Sequence, residues 1–465
     1  MDFLPFRVLT GPSSGQEWSF SYYFDDSYNF REYPHVLSLS PWTLLHISEV
    51  LQHRGINVYE PVSNIFKALE VGEVCGLDAR CLRLVTLALH TANALLLMEW
   101  LRLLRAEPLT WRIRALSTLV CYFWWVHPLN MEVIGWLSAQ GYALALLQAL
   151  LSSIALERAI RIAKTDGERP PRLRTLPLLL VASVALYVSA CLTKPPVVTL
   201  TVVHLLRLAL EISSPAAPAA CSARTSRFLY LLFPASLVAS AAAMLALIFH
   251  SNADNVAAYK QPRSPAGLFM ALVKAAHTVS GFAARTLYPV DLRVHYLVPD
   301  VFLGHCPGLA CAQMALLSPE GASILLSCCV LCLAAAGMLC TGRLVAFGVL
   351  AWACLWAPAA GIFPHGWTAL GGDRYAYMPN AYLSAALVAG LEMLVGRPGG
   401  LEEEETKDRR KCAWRWVPLR LVVLVCLSMP YVGLLGGLSA AGLSKWRSDL
   451  PLLNDCVAKV APRVL

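Results

Sequence analysis

Apolar and polar positions divide this chain into three unequal parts. Residues 1–81 mix aromatic and polar side chains, are interrupted by Pro and Gly, and hold no apolar run long enough to span a bilayer. From residue 82 apolar runs dominate, at about 82–104, 114–129, 132–156, 176–193, 195–211, 228–250, 322–340, 343–361, 376–396 and 418–440. A helix crossing a hydrocarbon core of about 30 Å needs about 20 residues, so these runs predict about ten transmembrane helices, several short or tilted. Pro41 to about Arg54 reads as a short helix. Leu268 to Leu287 is weakly apolar, with Lys274, His277 and Arg285 interspersed, and reads as an in-plane or re-entrant helix. Residues 441–465 form a short tail. The expected fold is an all-α polytopic membrane protein with helices in its loops.

Composition sharpens that reading. Of 465 residues 57% are hydrophobic and 15% charged, and the mean hydropathy is +0.55. Soluble domains carry about 25% charged residues, so the chain belongs with polytopic membrane proteins. A net charge of +8 invites a nucleic-acid reading, but the basic residues lie in short loops and form no phosphate-tracking stripe. They set topology instead. Arg102, Arg105, Arg112 and Arg114 flank one connection; Arg158, Arg161, Lys164, Arg169, Arg172 and Arg174 fill the next alternate one. Arg224, Arg227, Arg343, Arg397, Lys407, Arg409, Arg410 and Lys411 follow under strict alternation, which predicts a cytosolic face. The opposite, luminal face then collects segment 1–81, the turns at His127-Pro128 and Lys194-Pro195-Pro196, loop 251–320, loop 362–375 and the tail. Most of the 15 Cys fall in apolar runs, but Cys75 with Cys81 and Cys306 with Cys311 lie in loop-like sequence, where an oxidising lumen permits disulfides. No N-x-S/T sequon occurs.

The candidate chemistry gathers on that luminal face. Asp25 and Asp26 sit among Tyr22, Tyr23, Phe24, Tyr28 and Phe30. A carboxylate beside aromatics loses solvation and becomes a stronger base, although Asp-Asp also builds turns and caps. His127-Pro128-Leu129-Asn130-Met131-Glu132, with Trp124, Trp125 and Trp136, is either an interfacial belt with a turn or a hydroxyl- or phosphate-holding pair. Ser138-Ala139-Gln140-Gly141-Tyr142 is expected to continue the same helix, as interhelical glue or as site lining. Lys194 either snorkels to the interface or meets a lipid phosphate as a point charge, and Arg285 is a further phosphate candidate. Asp373-Arg374-Tyr375-Ala376-Tyr377 leads into a span, where an Arg can grip two phosphate oxygens or merely pair with its Asp. A channel or pump strands ionisable groups mid-span, whereas here they collect at one face.

Across nearly its whole length the chain resembles the transmembrane and TPR-repeat-containing protein O-mannosyltransferases, which have the GT-C glycosyltransferase fold. Phe24-Asp25-Asp26 resembles the family's luminal F-D-D, and Tyr59-Glu60-Pro61-Val62-Ser63 its Y-R-P-L-[ST]. His90 to Leu97 resembles H-x-x-N-x-x-L-H, and His127-Pro128 with Glu132 matches H-P-x-x-x-E. Lys194 stands at the K-E position, Asp254-Asn255 resembles D-N-P, and Asp373 to Pro379 resembles [ED]-R-x-L-Y-L-P-S. Trp446-Arg447-Ser448-Asp449 resembles the W-x-[ST]-[ED] that precedes the family's TPR array. Departures stand out: Glu60 replaces an Arg, Pro195 replaces a Glu, and Gln140 stands where Arg is common. The family also carries a first span before the Asp pair and TPR repeats after the tail. Either sequence upstream of Met1 supplies that span, or the catalytic role has been given up.

The resemblance implies mannose transfer from dolichyl-phosphate-mannose to Ser or Thr hydroxyls of an acceptor protein in the endoplasmic reticulum lumen, with inversion. It implies Asp25 or Asp26 as general base and Arg374, Lys194, Arg285 and Tyr377 at the donor's lipid phosphate. His127, Glu132, Asp373 and Gln140 would position the sugar or the acceptor. No cofactor is required on this reading, although a carboxylate pair can bind a divalent metal. With no repeat domain in the sequence, a partner is expected to supply acceptor recognition. A catalytically inactive membrane scaffold is the alternative, and a transporter a distant third, since no inverted repeat and no mid-span charge pair is visible.

Overall fold

The computed structural model describes residues 19–20, 25–26, 29–30, 59–105, 111–165, 175–213, 228–251, 265–294, 296, 329, 332–333, 336, 342–360, 371–395 and 430–447. Among these the chain is all helical. Pro at the first position opens α1, Pro61–Leu69, which runs on as a π-helical segment, Glu70–Cys75. The Asp78 side chain accepts from Arg80 N (2.8 Å) and Cys81 N (3.3 Å) and so caps α2, Ala79–Leu103. Then come α3 Trp111–Trp125, the short α4 Met131–Gly135, α5 Gln140–Thr165, α6 Thr175–Thr193 and α7 Leu200–Ile212. They are followed by α8 Phe233–Ser251, α9 Pro265–Leu287, α10 Arg343–Trp356 and α11 Tyr377–Val395. A last helix covers 430–444.

Among the described residues, six stretches are long and apolar enough to cross a membrane: Ala79–Leu103, Leu137–Lys164, Thr175–Thr193, Pro195–Ile212, Phe228–Ser251 and Asp373–Val395. The protein is therefore multi-pass. Of the ten expected spans, 114–129 is realised as the 15-residue α3 and 343–361 as the 14-residue α10. Most of 322–340 and 418–440 lies outside the described residues, as do the Pro41–Arg54 helix, Cys306, Cys311 and Asp254-Asn255. The Leu268–Leu287 stretch is helical, as part of α9.

One expectation needs correcting. His127 to Tyr142 is not a turn followed by one continuous helix. It runs as a 3-10 turn Pro128–Asn130, the short α4, an extended Trp136 (φ −92°, ψ 110°) and a second 3-10 turn, Leu137–Ala139, before α5 begins. Backbone groups that a continuous helix would use internally go elsewhere. Ser138 N–H donates to Asp26 Oδ1 (2.9 Å), and the Gly135 carbonyl accepts from Arg83 Nε (2.7 Å).

The core is a helix-on-helix pack around Trp100, Leu146, Leu150, Tyr187, Phe347 and Tyr382, all buried. Small and hydroxyl-bearing residues bring helices close, as expected without a hydrophobic drive between apolar surfaces in lipid. Ser152 and Ser183 exchange hydroxyl-to-carbonyl bonds across α5 and α6 (2.7 and 2.9 Å). At Gly348 a Cβ would sit 2.7 Å from Ala386 Cβ, so only glycine lets α10 approach α11 this closely. Charged residues collect at two ends of the bundle. One end holds Arg102, Arg105, Arg161, Lys164 and Glu392; the other holds Glu60, His127, Glu132, Lys194 and Arg374.

Candidate functional site

The second end of the bundle assembles residues far apart in sequence. The Asp-Asp segment is anchored by Phe20 and Phe30 (ring centroids 5.7 Å apart), which pack with Val71, Ala79, Leu82 and Leu137. That packing sets the two carboxylates in different surroundings. Asp26 is fully buried and accepts both the N–H (2.9 Å) and the hydroxyl (2.7 Å) of Ser138. Asp25 takes the left-handed backbone conformation, φ 63°, which Asp tolerates better than most residues. It is half-buried, and among the described residues its carboxylate takes no hydrogen bond. Burial raises its pKa from the ordinary carboxylate value, while Arg374, Lys194 and Lys67 pull it back.

Those cations are held differently. Lys194, directly after α6, donates to both Glu60 oxygens (2.6 and 2.7 Å) and lies 4.9 Å from the centre of the Tyr142 ring. A Cβ on Gly141 would lie 2.8 Å from Lys194 Cε and 2.9 Å from Ser63 Oγ, so glycine leaves the room this pair occupies. Arg374 meets Glu132 through Nη1 (2.5 Å) and through its own backbone N–H (2.8 Å). Its guanidinium rests over Trp136 (4.8 Å) and Tyr375 (4.7 Å). Tyr375 meets Tyr142 edge-on at 5.8 Å, so two aromatic rings join the Lys194 pair to the Arg374 pair. Burial would hold the Glu132 carboxyl above its usual range, and the Arg374 charge opposes this.

Lys67 occupies the buried face of α1. Its ammonium donates to Asn29 Oδ1 (3.2 Å) and lies 5.7 Å from the Phe30 ring centre, with no carboxylate in ion-pair range among the described residues. Burial lowers its pKa to about 8, against Glu60, Asp26 and Glu70, which raise it. Glu70, one turn on, accepts from Gln140 Nε2 (2.7 Å), and burial lifts it to about 8.

The remaining sequence candidates fall in supporting positions. Gln140 also donates to Thr86 Oγ1 (3.0 Å) and stays beneath the site. His127 Nδ1 accepts from Leu129 N–H and Nε2 donates to Thr286 O (3.0 Å), so both ring nitrogens are occupied; burial takes it down to about 4. Asp373 accepts from the Tyr296 hydroxyl. Arg285 is half-buried and stacks over Tyr296 at 4.0 Å, and it is not among the cations that act on Asp25. Tyr377 is inside the bundle, its hydroxyl shared by His90 Nδ1 (2.8 Å) and Asn93 Nδ2 (3.2 Å). His90 and Asn93 thus serve packing, as Asn93 also donates to Ala143 O (2.8 Å) and His90 Nε2 meets Trp125 O (2.9 Å). The sequence reading missed Lys67 and Arg83. The available signal was the spacing of Ser63, Asn64, Lys67 and Glu70, which puts four polar residues on one helix face.

The disulfide Cys75–Cys81 ties the π-helical segment to the first turn of α2. Trp446 stacks on Trp136 at 5.8 Å and its carbonyl accepts from Arg83 Nη2 (3.1 Å), so the residues after the last helix close the site's flank. Among the described residues no group of three His, Cys, Asp or Glu side chains could hold a metal ion. No family model, curated protein or solved structure matches this chain.

Proposed function

We propose that this protein is a GT-C-like membrane glycosyltransferase of the endoplasmic reticulum that moves mannose from dolichyl-phosphate-mannose to Ser or Thr hydroxyls of a protein acceptor in the lumen. One observation carries the reading: a half-buried carboxylate, Asp25, which takes no hydrogen bond among the described residues, is acted on by three cations at the end of the bundle opposite the arginine-rich one. Asp25 takes the hydroxyl proton as the acceptor oxygen bonds to the anomeric carbon. The bond from that carbon to the phosphate oxygen breaks with its electron pair leaving on dolichyl phosphate, and attack from the opposite side inverts the configuration. A positioned base of this kind contributes about a hundred- to ten-thousandfold. Asp26, tied to Ser138, orients its neighbour. Arg374 and Lys194 act on the leaving charge from within their pairs, in surroundings where water screens little. Glu60 costs the site less than a charge reversal suggests, because Lys194 offsets it directly.

A second reading has its own support. Both Lys194 and Arg374 already hold carboxylates, which suits a scaffold derived from such an enzyme. Microsomes containing the full chain and radiolabelled dolichyl-phosphate-mannose separate the two. Label reaching protein with the wild type and lost with Asp25→Asn supports the enzyme; transfer that survives Asp25→Asn removes the base assignment, and no transfer by the wild type favours the scaffold.

A further inference from the structure

Cations removed from water are as a rule paired, because desolvating a charge is costly unless an opposite charge or strong hydrogen bonds replace the water. At this end of the bundle Arg374 and Lys194 follow the rule, with side chains 10% and 12% exposed and a carboxylate on each. Arg285 has aromatic faces and water. Lys67 breaks the rule. It is 4% exposed, it uses one of its three N–H donors on a neutral amide oxygen, and no carboxylate lies in ion-pair range of it among the described residues.

Its surroundings are not simply apolar. Asn29, whose Oδ1 accepts a hydrogen bond from Lys67, donates through Nδ2 to Ser138 Oγ (3.0 Å), and Ser138 donates to Asp26. Glu60 and Lys194 from neighbouring elements, together with Asp26 and Glu70, all act on the ammonium electrostatically, and Lys67 in turn acts on Asp25. A buried ammonium with spare donors and no carboxylate among the described residues therefore sits on the same hydrogen-bonded chain as Asp26.

We infer that Lys67 is the residue that grips the phosphate of the bound lipid, filling its spare donors with phosphate oxygens while Arg374 and Lys194 stay within their own pairs. This rests on the glycosyltransferase reading for the identity of the lipid, but the site itself is a phosphate-anion site and can be tested without transfer. Phosphate oxygens would do for Lys67 what Glu132 and Glu60 do for the other two cations. The protonated ammonium is the binding form, so affinity is retained below about pH 8 and falls as pH rises past it, the window widening upward when bound anion favours the proton.

The experiment uses the full chain in detergent, with fluorescent dolichyl phosphate as probe and inorganic phosphate as competitor. Expected are at least tenfold weaker binding for Lys67→Gln, substantial recovery for Lys67→Arg, and a decline above about pH 8 that Lys67→Arg abolishes. A folding defect would lower binding in Lys67→Gln but would neither be rescued by Arg nor remove the alkaline decline. Displacement by millimolar inorganic phosphate would show that the phosphate group alone is recognised; failure to displace would show that the polyprenyl chain contributes, and either is compatible with Lys67 as the ligand. Wild type that binds no dolichyl phosphate, or Lys67→Gln that binds as wild type does while Arg374→Gln or Lys194→Gln loses binding, overturns the inference. Lys67-dependent binding without transfer would sustain it and count against the enzyme.

Discussion

Asp25 and Asp26 are neighbours in sequence with opposite circumstances. Ser138 gives Asp26 two hydrogen bonds inside the fold, and Asp25 is left to the cations. Asp26→Asn should therefore cost stability, about 1–3 kcal/mol for a disturbed buried hydrogen-bond partner, visible as a lower unfolding midpoint. Asp25→Asn should leave that midpoint within a degree or two while transfer drops a hundredfold or more. Because a base works deprotonated and Asp25 is raised, kcat/KM should climb through a pKa above the ordinary carboxylate range and then level off. Glu70 offers a separate test on stability. Its folded pKa of about 8 lies above the 4.5 of the free group, so the fold favours the protonated form. The stability it lends is complete below about pH 4.5 and is lost as pH rises to about 8. Lys67 contributes a slope only between about 8 and 10.5, outside that window. Thermal unfolding of Glu70→Gln should lack the decline between pH 4.5 and 8 that the wild type shows.

At the scale of elements, the site depends on a helix that is interrupted in the right place. Between α3 and α5 the chain surrenders the Ser138 N–H and the Gly135 carbonyl to Asp26 and Arg83. Trp446 fills the space over Gly135, where a Cβ would lie 2.5 Å from its ring. Gly141, at the start of α5, is the position where added bulk should tell most. Gly141→Ala should push Lys194 off Glu60 and cost about 1–3 kcal/mol, measured as a lower unfolding midpoint. Its double mutant with Lys194→Ala should recover part of that loss, since the obstructing side chain is then gone. The Cys75–Cys81 bridge closes a short loop, so replacing both Cys with Ser should cost about 2 kcal/mol by the chain-entropy argument. The loss should disappear when wild type is compared under reducing conditions.

Across the whole molecule, two charged ends bracket an apolar middle. Opposite the site, Arg207 is buried between Glu157 (2.6 Å) and Glu211 (3.1 Å), and Lys164 reaches Glu211 (2.7 Å). Arg161 gives its guanidinium to the carbonyls of Arg102, Leu103 and Arg105 at the end of α2. Removing one member should be costly: Arg207→Met strands the buried Glu157, leaves Glu211 to Lys164 alone, and should lower stability by about 3–5 kcal/mol, seen in denaturant or thermal unfolding. The arrangement also predicts orientation. A membrane-impermeant maleimide added to sealed microsomes should modify Ser213→Cys at the arginine-rich end directly. It should reach Tyr288→Cys, 64% exposed near the site end, only after permeabilisation.

Much of this plan is legible in the sequence, because burial in lipid writes itself as composition. Long apolar runs around 82–104, 176–193, 195–211, 228–250 and 376–396 can hardly be anything but helices, and each is one in the structure. The same physics made the gathering of charged residues at the helix ends predictable, since charges avoid the apolar interior, whereas the Cys75–Cys81 bridge was only one pairing that loop-like sequence permitted. What hydropathy does not carry is which polar group meets which. Lys194 could choose Glu60 only once α6 had brought it beside α1, 134 residues away in sequence. Tyr377, a phosphate candidate by its place next to Arg374, turns inward to His90 because the helix rotates successive side chains by about 100°. Lys67 is invisible as a member of the site until the Asp segment lies against α1. Composition and period decided the helices and their ends; the pairing of charges, and the burial of Lys67 with no carboxylate in reach among the described residues, were decided by tertiary packing, because ion pairs form over a few ångströms in space regardless of distance along the chain.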